Sequence, residues 1–303
     1  MNNGFFVIDK PAGITSHDVV SRVRRILGTR KVGHTGTLDP FATGVLPVAV
    51  NDGTKVIPFL DEGVKQYDAL LRLGVVTDTL DMTGSVVGQS DCSSIGKDRL
   101  EAVLACFTGT ISQIPPMFSA IKQGGQPLYK LARQGVEVER QPRQIQIFSL
   151  ELLQFESPLV RLRVTCSRGT YIRSLAYDIG SELGCGAALQ ELRRIASGSF
   201  HLSTAISLES LAEYAAQTTL ETVCVTPFNA LGHLPEIPLT EAGHEKVMNG
   251  RFPEWHETEL PGPAVFEAFQ MVRLSRNGTL DAVAQSVPGP DGCGRLILKR
   301  VFV

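Results

Sequence analysis

Gly33-His34-Thr35-Gly36-Thr37-Leu38-Asp39-Pro40-Phe41-Ala42-Thr43-Gly44 is a loop rich in glycine and threonine with one carboxylate near its centre. Glycines at 33, 36 and 44 permit backbone shapes that other residues resist. Pro40 pushes Asp39 toward an extended conformation. An aspartate held on such a loop can point into a cleft, where carboxylates serve as nucleophiles or bases. The plainer alternative is an aspartate that starts a turn before proline. After the loop, Leu46 to Val50 reads as a buried segment.

On the N-terminal side, Phe5 to Ile8 reads as a short strand, broken by Lys10-Pro11-Ala12-Gly13. Thr15 or Ser16 then caps a helix with Asp18 in its first turn. Val19, Val20, Val23, Ile26 and Leu27 form its apolar stripe and Gly28 ends it. On the C-terminal side, Tyr67 to Leu73 reads as a strand and residues 77–84 as a turn-rich segment. Leu100, Val103, Leu104 and Phe107 have helical spacing, with Gly109 as the stop. Ile114-Pro115-Pro116 opens a loop, and Pro127 is expected as the first residue of a helix ended by Gly135. Ile145 with Ile147, and Val160 to Cys166, alternate as half-buried strands. Leu175, Ile179 and Leu183 form a helix that stops at Gly184, and another helix covers Leu208 to Ala216.

Near residue 235 the character changes. Pro235 and Pro238 mark a linker, followed by a short helical piece and the turn-rich stretch Pro253 to Pro263. Short strands are expected around 264–273, 280–287 and 295–303. Strands and helices do not alternate regularly, so the fold class is α+β. Two domains are expected, residues 1–234 and a small β-rich domain at 235–303.

The chain has 303 residues, 43% apolar and 20% charged, as expected of a soluble globular protein that builds its core without staples. The N-terminus lacks a signal peptide's basic start and long apolar run, and no apolar stretch is long enough for a membrane span. Cytoplasmic location is therefore expected. The six cysteines, at 92, 106, 166, 185, 224 and 293, form no C-x-x-C pair and no cluster with histidine, which argues against a zinc site or a disulfide scaffold. A net charge of −2 weighs mildly against nucleic-acid binding. Local clusters counter that average: Arg22, Arg24, Arg25, Arg30 and Lys31; Arg161, Arg163, Arg168 and Arg173; Arg193 and Arg194. They can hold phosphates or simply form solvated basic faces.

The loop at 33–44 resembles the catalytic motif of the TruB-type pseudouridine synthases, and six further stretches resemble family motifs in family order. These are Asp9-Lys10-Pro11-Ala12-Gly13-Ile14-Thr15-Ser16, Lys65-Gln66-Tyr67, Thr77-Asp78-Thr79 with Asp81, Gln113-Ile114-Pro115-Pro116-Met117-Phe118-Ser119-Ala120, Cys166-Ser167-Arg168-Gly169-Thr170-Tyr171-Ile172-Arg173, and Leu192-Arg193-Arg194. Together they span roughly residues 5–200. The resemblance implies a catalytic domain built on a mixed, largely antiparallel sheet with flanking helices, and a C-terminal RNA-binding domain of the PUA type. In the tail itself no specific motif supports the latter.

The resemblance also implies residue roles. Asp39 aligns with the family's essential aspartate and Arg173 with its arginine partner. Tyr67 matches the ring that stacks on the target base and helps move its C5 proton. His34 matches the histidine that fills the space left by the extruded nucleotide. Leu192 supplies apolar packing, and Tyr171 supports the base pocket or the core. Asp78 orders the site through Arg173 or RNA, or merely caps a turn. Lys10 belongs to a structural or RNA-facing loop. Arg22, Arg24, Arg25, Arg30 and Lys31 are expected phosphate contacts. The implied substrate is uridine 55 in the T arm of tRNA, swung out for chemistry. The implied enzyme needs no cofactor, metal or obligate protein partner and acts as a monomer. Three alternatives remain at this point: a tRNA-folding chaperone without chemistry, a guide-RNA-dependent pseudouridine synthase, and a carboxylate-pair hydrolase using Asp39 with Asp78 or Asp81.

Overall fold

The computed structural model describes residues 3–61, 63–260, 269–288 and 294–302. The chain enters as the strand Gly4–Lys10, an apolar run buried along almost its whole length. It pairs antiparallel with Thr43–Val50, in register from Gly4↔Val50 to Lys10↔Gly44. Between them lies the helix Ser16–Leu27. Thr15 and Asp18 form a reciprocal cap: the Thr15 hydroxyl accepts from Asp18 N at 3.0 Å, and the Asp18 carboxylate accepts from Thr15 N at 2.8 Å. Gly28 closes the helix at φ +61°. Val19, Val20 and Val23 pack on Phe6, Ile8, Leu46 and Val48, together with Leu208 and Leu211 of the helix Leu208–Ala216.

These strands belong to a ten-stranded sheet among the described residues. Its main path runs Cys224–Val225, Gly4–Lys10, Thr43–Val50, Ala187–Ser197, Val64–Leu73, Leu159–Ser167, Arg143–Glu156, Gly109–Gln113. Every described pairing in it is antiparallel except one. Thr43–Val50 meets Ala187–Ser197 in parallel, through two residue pairs only, Thr43↔Arg193 and Gly44↔Arg194. This short seam joins two sheet halves that are otherwise built independently. Helices Lys97–Cys106 and Ile172–Leu183 cover one face of the second half, burying Leu100, Leu104, Leu175 and Ile179 against Leu71, Leu162 and Val164.

The seam depends on Gly44. Its φ is +98°, and a Cβ there would lie 2.2 Å from Arg194 O and 2.8 Å from Arg194 N. Gly36, at φ +68°, is the other loop glycine that needs left-handed backbone. Gly33, by contrast, sits in the regular strand Val32–His34 and uses no such freedom.

Several other expectations shift. Gly109 does not cap the preceding helix, which closes at Phe107, but starts the strand Gly109–Gln113. Pro127 is the cap residue of the helix Leu128–Arg133 rather than its first residue. Pro235 and Pro238 do not mark a linker. Glu236–Pro238 is the edge strand of a second sheet, in the order Glu236–Pro238, Met271–Arg276, Thr279–Pro288, Gly294–Val301. An edge strand tolerates proline because one side of it needs no ladder hydrogen bonds. The expected strand at 264–273 is seen from Met271 onward, and residues 264–268 lie outside the described residues. The helix Glu241–Met248 packs on this sheet through Val247. The sheet in turn docks on the first half of the large one, where Leu280, Val283 and Phe302 join Phe5, Val7, Val45 and Ala49 in one core. The architecture is therefore α+β, with a mixed sheet and a β-rich C-terminal unit packed against it.

Candidate active site

The Asp39 loop crosses the mouth of the seam and is pinned on both sides of Asp39. Ser16 Oγ accepts from Leu38 N at 2.9 Å and donates to Leu38 O at 3.1 Å. Pro40 O accepts from Gly13 N at 2.8 Å and from Lys10 Nζ at 3.1 Å. Ala42 N closes the turn onto Asp39 O at 3.1 Å. Hydrogen bonds that fix a turn in this way leave a side chain little freedom, which is what a preorganised reacting group requires.

Arg173 approaches from the first turn of the helix Ile172–Leu183, with only 4% of its side chain exposed. Its Nε and Nη2 face the two Asp39 oxygens at 2.9 Å each, a planar two-point match. Its other donors are also used: Nη1 donates to Thr79 O at 3.1 Å and Nη2 to Phe118 O at 2.8 Å. Asp81 Oδ2 lies 3.7 Å from Arg173 Nε, on a side chain 6% exposed. Its Oδ1 is held by Thr79 Oγ1 at 2.9 Å and Thr83 N at 3.0 Å. One buried cation thus faces two carboxylates, both through Nε. Burial pushes the Asp39 carboxyl above the usual carboxylate range and the Asp81 charge pushes it the same way, while Arg173 and Lys10 pull it down.

Around Asp39 opens a cleft of about 1220 Å³, larger than the roughly 300–1000 Å³ typical of small-molecule sites. His34, Tyr67, Leu192, Tyr171 and Lys65 line it along with Asp39, Asp81 and Arg173. Tyr67 and Leu192 are 6% and 7% exposed. The Tyr171 backbone is clamped by Gln113, whose Oε1 accepts from Tyr171 N at 2.8 Å and whose Nε2 donates to Tyr171 O at 3.1 Å. Burial pushes the Tyr171 phenol up.

A fixed carboxylate with a buried arginine fork, in a cleft with room for a nucleotide, matches the arrangement that the sequence motifs imply. Residues 24–172 match the family model described as TruB family pseudouridylate synthase (N terminal domain). Residues 173–231 match the model described as tRNA pseudouridylate synthase B C-terminal domain. The tRNA pseudouridine synthase B of Geobacter sulfurreducens is 54% identical over 302 residues, 99% of both chains. The chain belongs to the TruB family of pseudouridine synthases.

The tRNA pseudouridine synthase B of Geotalea uraniireducens is 52% identical over 99% of this chain and 97% of its own. Solved relatives share the architecture. A crystal structure of a Cbf5-Nop10-Gar1 complex contains a chain with a TM-score of 0.77 at 28% identity, over 100% of this chain and 85% of that one. A structure of an H/ACA RNP bound to a substrate RNA containing 2′-deoxyuridine gives 0.73 at 27%, over 99% and 85%.

Within this TruB-family fold, the residues named from sequence fall into three groups. Asp39, Arg173, Tyr67, His34, Leu192 and Tyr171 all come together at the cleft. Lys10 does not reach it as an RNA contact: its side chain is fully buried, and Nζ is spent on Pro11 O at 2.8 Å and Pro40 O. Burial pushes the Lys10 ammonium down to about 8. Of the roles open to Asp78, the structure shows the turn cap and not a place beside Arg173. Asp78 is exposed and accepts from Ser85 N at 2.8 Å, closing a turn, while Asp81 faces Arg173. The basic residues of the first helix form a third group. Arg22, Arg25, Arg30 and Lys31 are exposed, but none lines the cleft. Arg24 turns inward and donates to Val32 O at 3.0 Å.

Some residues carry more than sequence reasoning assigned them. Ser16 and Gln113 act as clamps, and Arg194 is fully buried behind the loop. Their places inside quoted motifs were the only signal. The second basic cluster disperses: Arg161 pairs with Glu191 and Arg163 with Asp68 on the opposite sheet face, while Arg173 alone enters the site. Among the described residues no His, Cys, Asp and Glu gather as a metal site. The five described cysteines are unpaired, and Cys293 lies outside the described residues. No described helix is long and apolar enough to cross a membrane.

Proposed function

We propose that Asp39 is the catalytic carboxylate of this tRNA pseudouridine synthase, which isomerises uridine 55 in the T arm of tRNA to pseudouridine. The observation that carries this reading is the two-point Arg173–Asp39 pair at the base of the cleft, in a chain 54% identical to a named tRNA pseudouridine synthase B. The reaction breaks the C1′–N1 bond, turns the uracil and joins C1′ to C5. N1 gains a proton and C5 loses one, so atoms balance without a co-reactant and no cofactor is required.

Asp39 acts as an anion, attacking the sugar or the base or taking a sugar proton to form a glycal. Each route needs the carboxylate ionised against its burial, and the Arg173 guanidinium supplies the compensating charge. The Asp81 carboxylate, facing the same Arg173 Nε, opposes it and keeps Asp39 basic enough to react. Tyr67 stacks on the flipped base, a contact of about 1–3 kcal/mol, and helps remove the C5 proton. His34 occupies the gap the uridine leaves, and Leu192 and Tyr171 wall the base pocket. Residues 1–234 form the catalytic domain and 235–303 a PUA-like RNA-binding domain. The enzyme works in the cytoplasm as a monomer without a guide RNA; its full-length relatives are named as tRNA pseudouridine synthases. Arg22, Arg25, Arg30 and Lys31 contact tRNA phosphates. Charge reversal at Arg22 and Arg25 is expected to weaken tRNA binding and reduce its salt dependence by about one unit of slope per lost contact; unchanged binding would remove them from the interface.

The test is release of tritium from an unmodified tRNA transcript labelled at uridine C5. The wild-type protein should release it and Asp39→Asn should not. A folded wild-type protein that binds the transcript without release would favour the chaperone or the guide-dependent alternative.

A further inference from the structure

Arg194 is the bulkiest of the fully buried side chains among the described residues, with 0% exposure. A buried cation normally carries a carboxylate partner. Arg194 has none among the described residues; its partners are backbone oxygens. Nε donates to Val45 O at 2.7 Å and Nη2 to Gly36 O at 2.9 Å. These carbonyls lie on either side of the Asp39 loop. Nη1 is buried with no hydrogen-bond partner. A spare donor on a dry cation is costly, so it points to an acceptor within reach whose demand for it rises during the reaction.

Strand register says which acceptor that is. On Ala187–Ser197, Arg194 stands directly opposite Tyr67 of Val64–Leu73. Paired residues on adjacent strands project from the same face, close enough for their side chains to meet. Tyr67 lines the cleft and Arg194 lies behind it. The charged and titratable groups acting on the Tyr67 phenol are Arg194, Asp39 and Cys166. Lys65 adds a cation nearby, its Nζ 2.5 Å from where a Cβ of Gly36 would stand. Burial pushes the phenol up, and the nearby Arg194 charge pulls it back.

We propose that Arg194 is a positioning residue for Tyr67, its unspent Nη1–H and its charge holding the phenolic oxygen as the anion that takes the C5 proton of the rotated base. The step rests on the isomerase reading above. The C5–H bond breaks, its proton passes to the Tyr67 oxygen, and its electron pair restores the C5–C6 double bond. Tyr67 then returns the proton to water.

The experiment is single-turnover product formation on tRNA carrying protium or deuterium at uridine C5, from pH 6 to 10. Arg194→Gln and Arg194→Lys are each placed in wild-type and Tyr67→Phe backgrounds. For Arg194→Gln the tRNA Kd should hold while the alkaline limb moves up by about one unit. Below the limb the rate should fall about tenfold, because a phenol one unit less acidic supplies a tenth of the anion. The deuterium isotope effect should grow, and Arg194→Lys should recover much of the loss. Neither change should slow the Tyr67→Phe enzyme further. Equal losses in both backgrounds, with limb and isotope effect unmoved, would reduce Arg194 to a prop for the Gly36 and Val45 carbonyls. Should Arg194→Gln not fold, Arg194→Lys decides in the same way: a loss that vanishes in Tyr67→Phe supports the assignment and one that persists overturns it. A wild-type protein that forms no product removes the isomerase reading itself, an outcome distinct from either.

Discussion

Arg173→Met isolates what the buried guanidinium does for Asp39. The change keeps the length and apolar stem of the side chain but removes the hydrogen bond from Nη2 to Asp39 Oδ1 and the ion-pair contact from Nε to Oδ2, both at 2.9 Å. A hydrogen bond to a charged group contributes roughly 1.5–3 kcal/mol, and breaking a buried ion pair as a whole costs about 3–5 kcal/mol. One-third of the Asp39 side chain is exposed, and water entering the cleft replaces part of what is lost, which favours the lower end. About 3 kcal/mol corresponds to about two pH units of further rise in the Asp39 pKa. That carboxyl already lies above its usual range through burial. Because the reaction needs the anion, a raised pKa moves the acid limb of the rate profile to higher pH. The assay is tritium release from C5-labelled tRNA between pH 5.5 and 9.5. The limb should climb by about two units, with a deficit of up to about 100-fold below it that shrinks in alkaline buffer. Arg173→Lys keeps the charge without the planar fork and should shift the limb less. An Arg173→Met enzyme that folds, binds tRNA and loses the same factor at every pH would refute the argument. Arg173 would then matter for position alone, through Thr79 O and Phe118 O.

Asp81→Asn should move the acid limb the other way, toward lower pH, because the Asp81 charge raises the Asp39 pKa; a limb that rises instead would show that Asp81 acts mainly by orienting Arg173. Lys10 tests linkage. Its ammonium is pushed down to about 8 in the folded protein, so between pH 8 and about 10 the unfolded chain holds more protons and stability rises with pH. The unfolding free energy of the wild type should therefore gain on that of Lys10→Met between pH 7 and 9.5 in urea titrations, and a constant difference would contradict the burial argument. Gly44→Ala forces a Cβ to within 2.2 Å of Arg194 O at a positive φ and should cost more than about 2 kcal/mol or prevent folding. Gly28→Ala, at φ +61° with open space around it, should cost only about 1 kcal/mol; equal losses at the two positions would mean that backbone strain, not the seam contact, sets the cost.

Much of this molecule is written in local sequence. The Thr15–Asp18 cap, the valine stripe of the first helix, the Gly184 stop and the alternation of Val160 to Cys166 are short-range signals, and each appears where its spacing places it. The motif matches add Asp39, Tyr67 and Arg173, which lie 28 and 106 positions apart in the chain and meet in one cleft. Three things were beyond such reading. Asp78 and Asp81 occupy the same short turn, and nothing in their spacing says which carboxylate turns inward. That choice comes with Leu80 at φ +63° and with the backbone bonds of Leu80 O and Met82 N to Leu189, on the strand Ala187–Ser197 far along the chain. Lys10 reads equally as part of a structural or an RNA-facing loop until Pro11 O and Pro40 O take its ammonium. Arg194 reads as one of a basic pair until the seam at Gly44 closes and leaves it facing Tyr67 across the strands. Local patterns determine which elements form and which residues carry chemistry, because capping and periodicity act over a few residues. Which charges are buried, and against what, is decided only when distant strands meet, because desolvation depends on everything packed around a group.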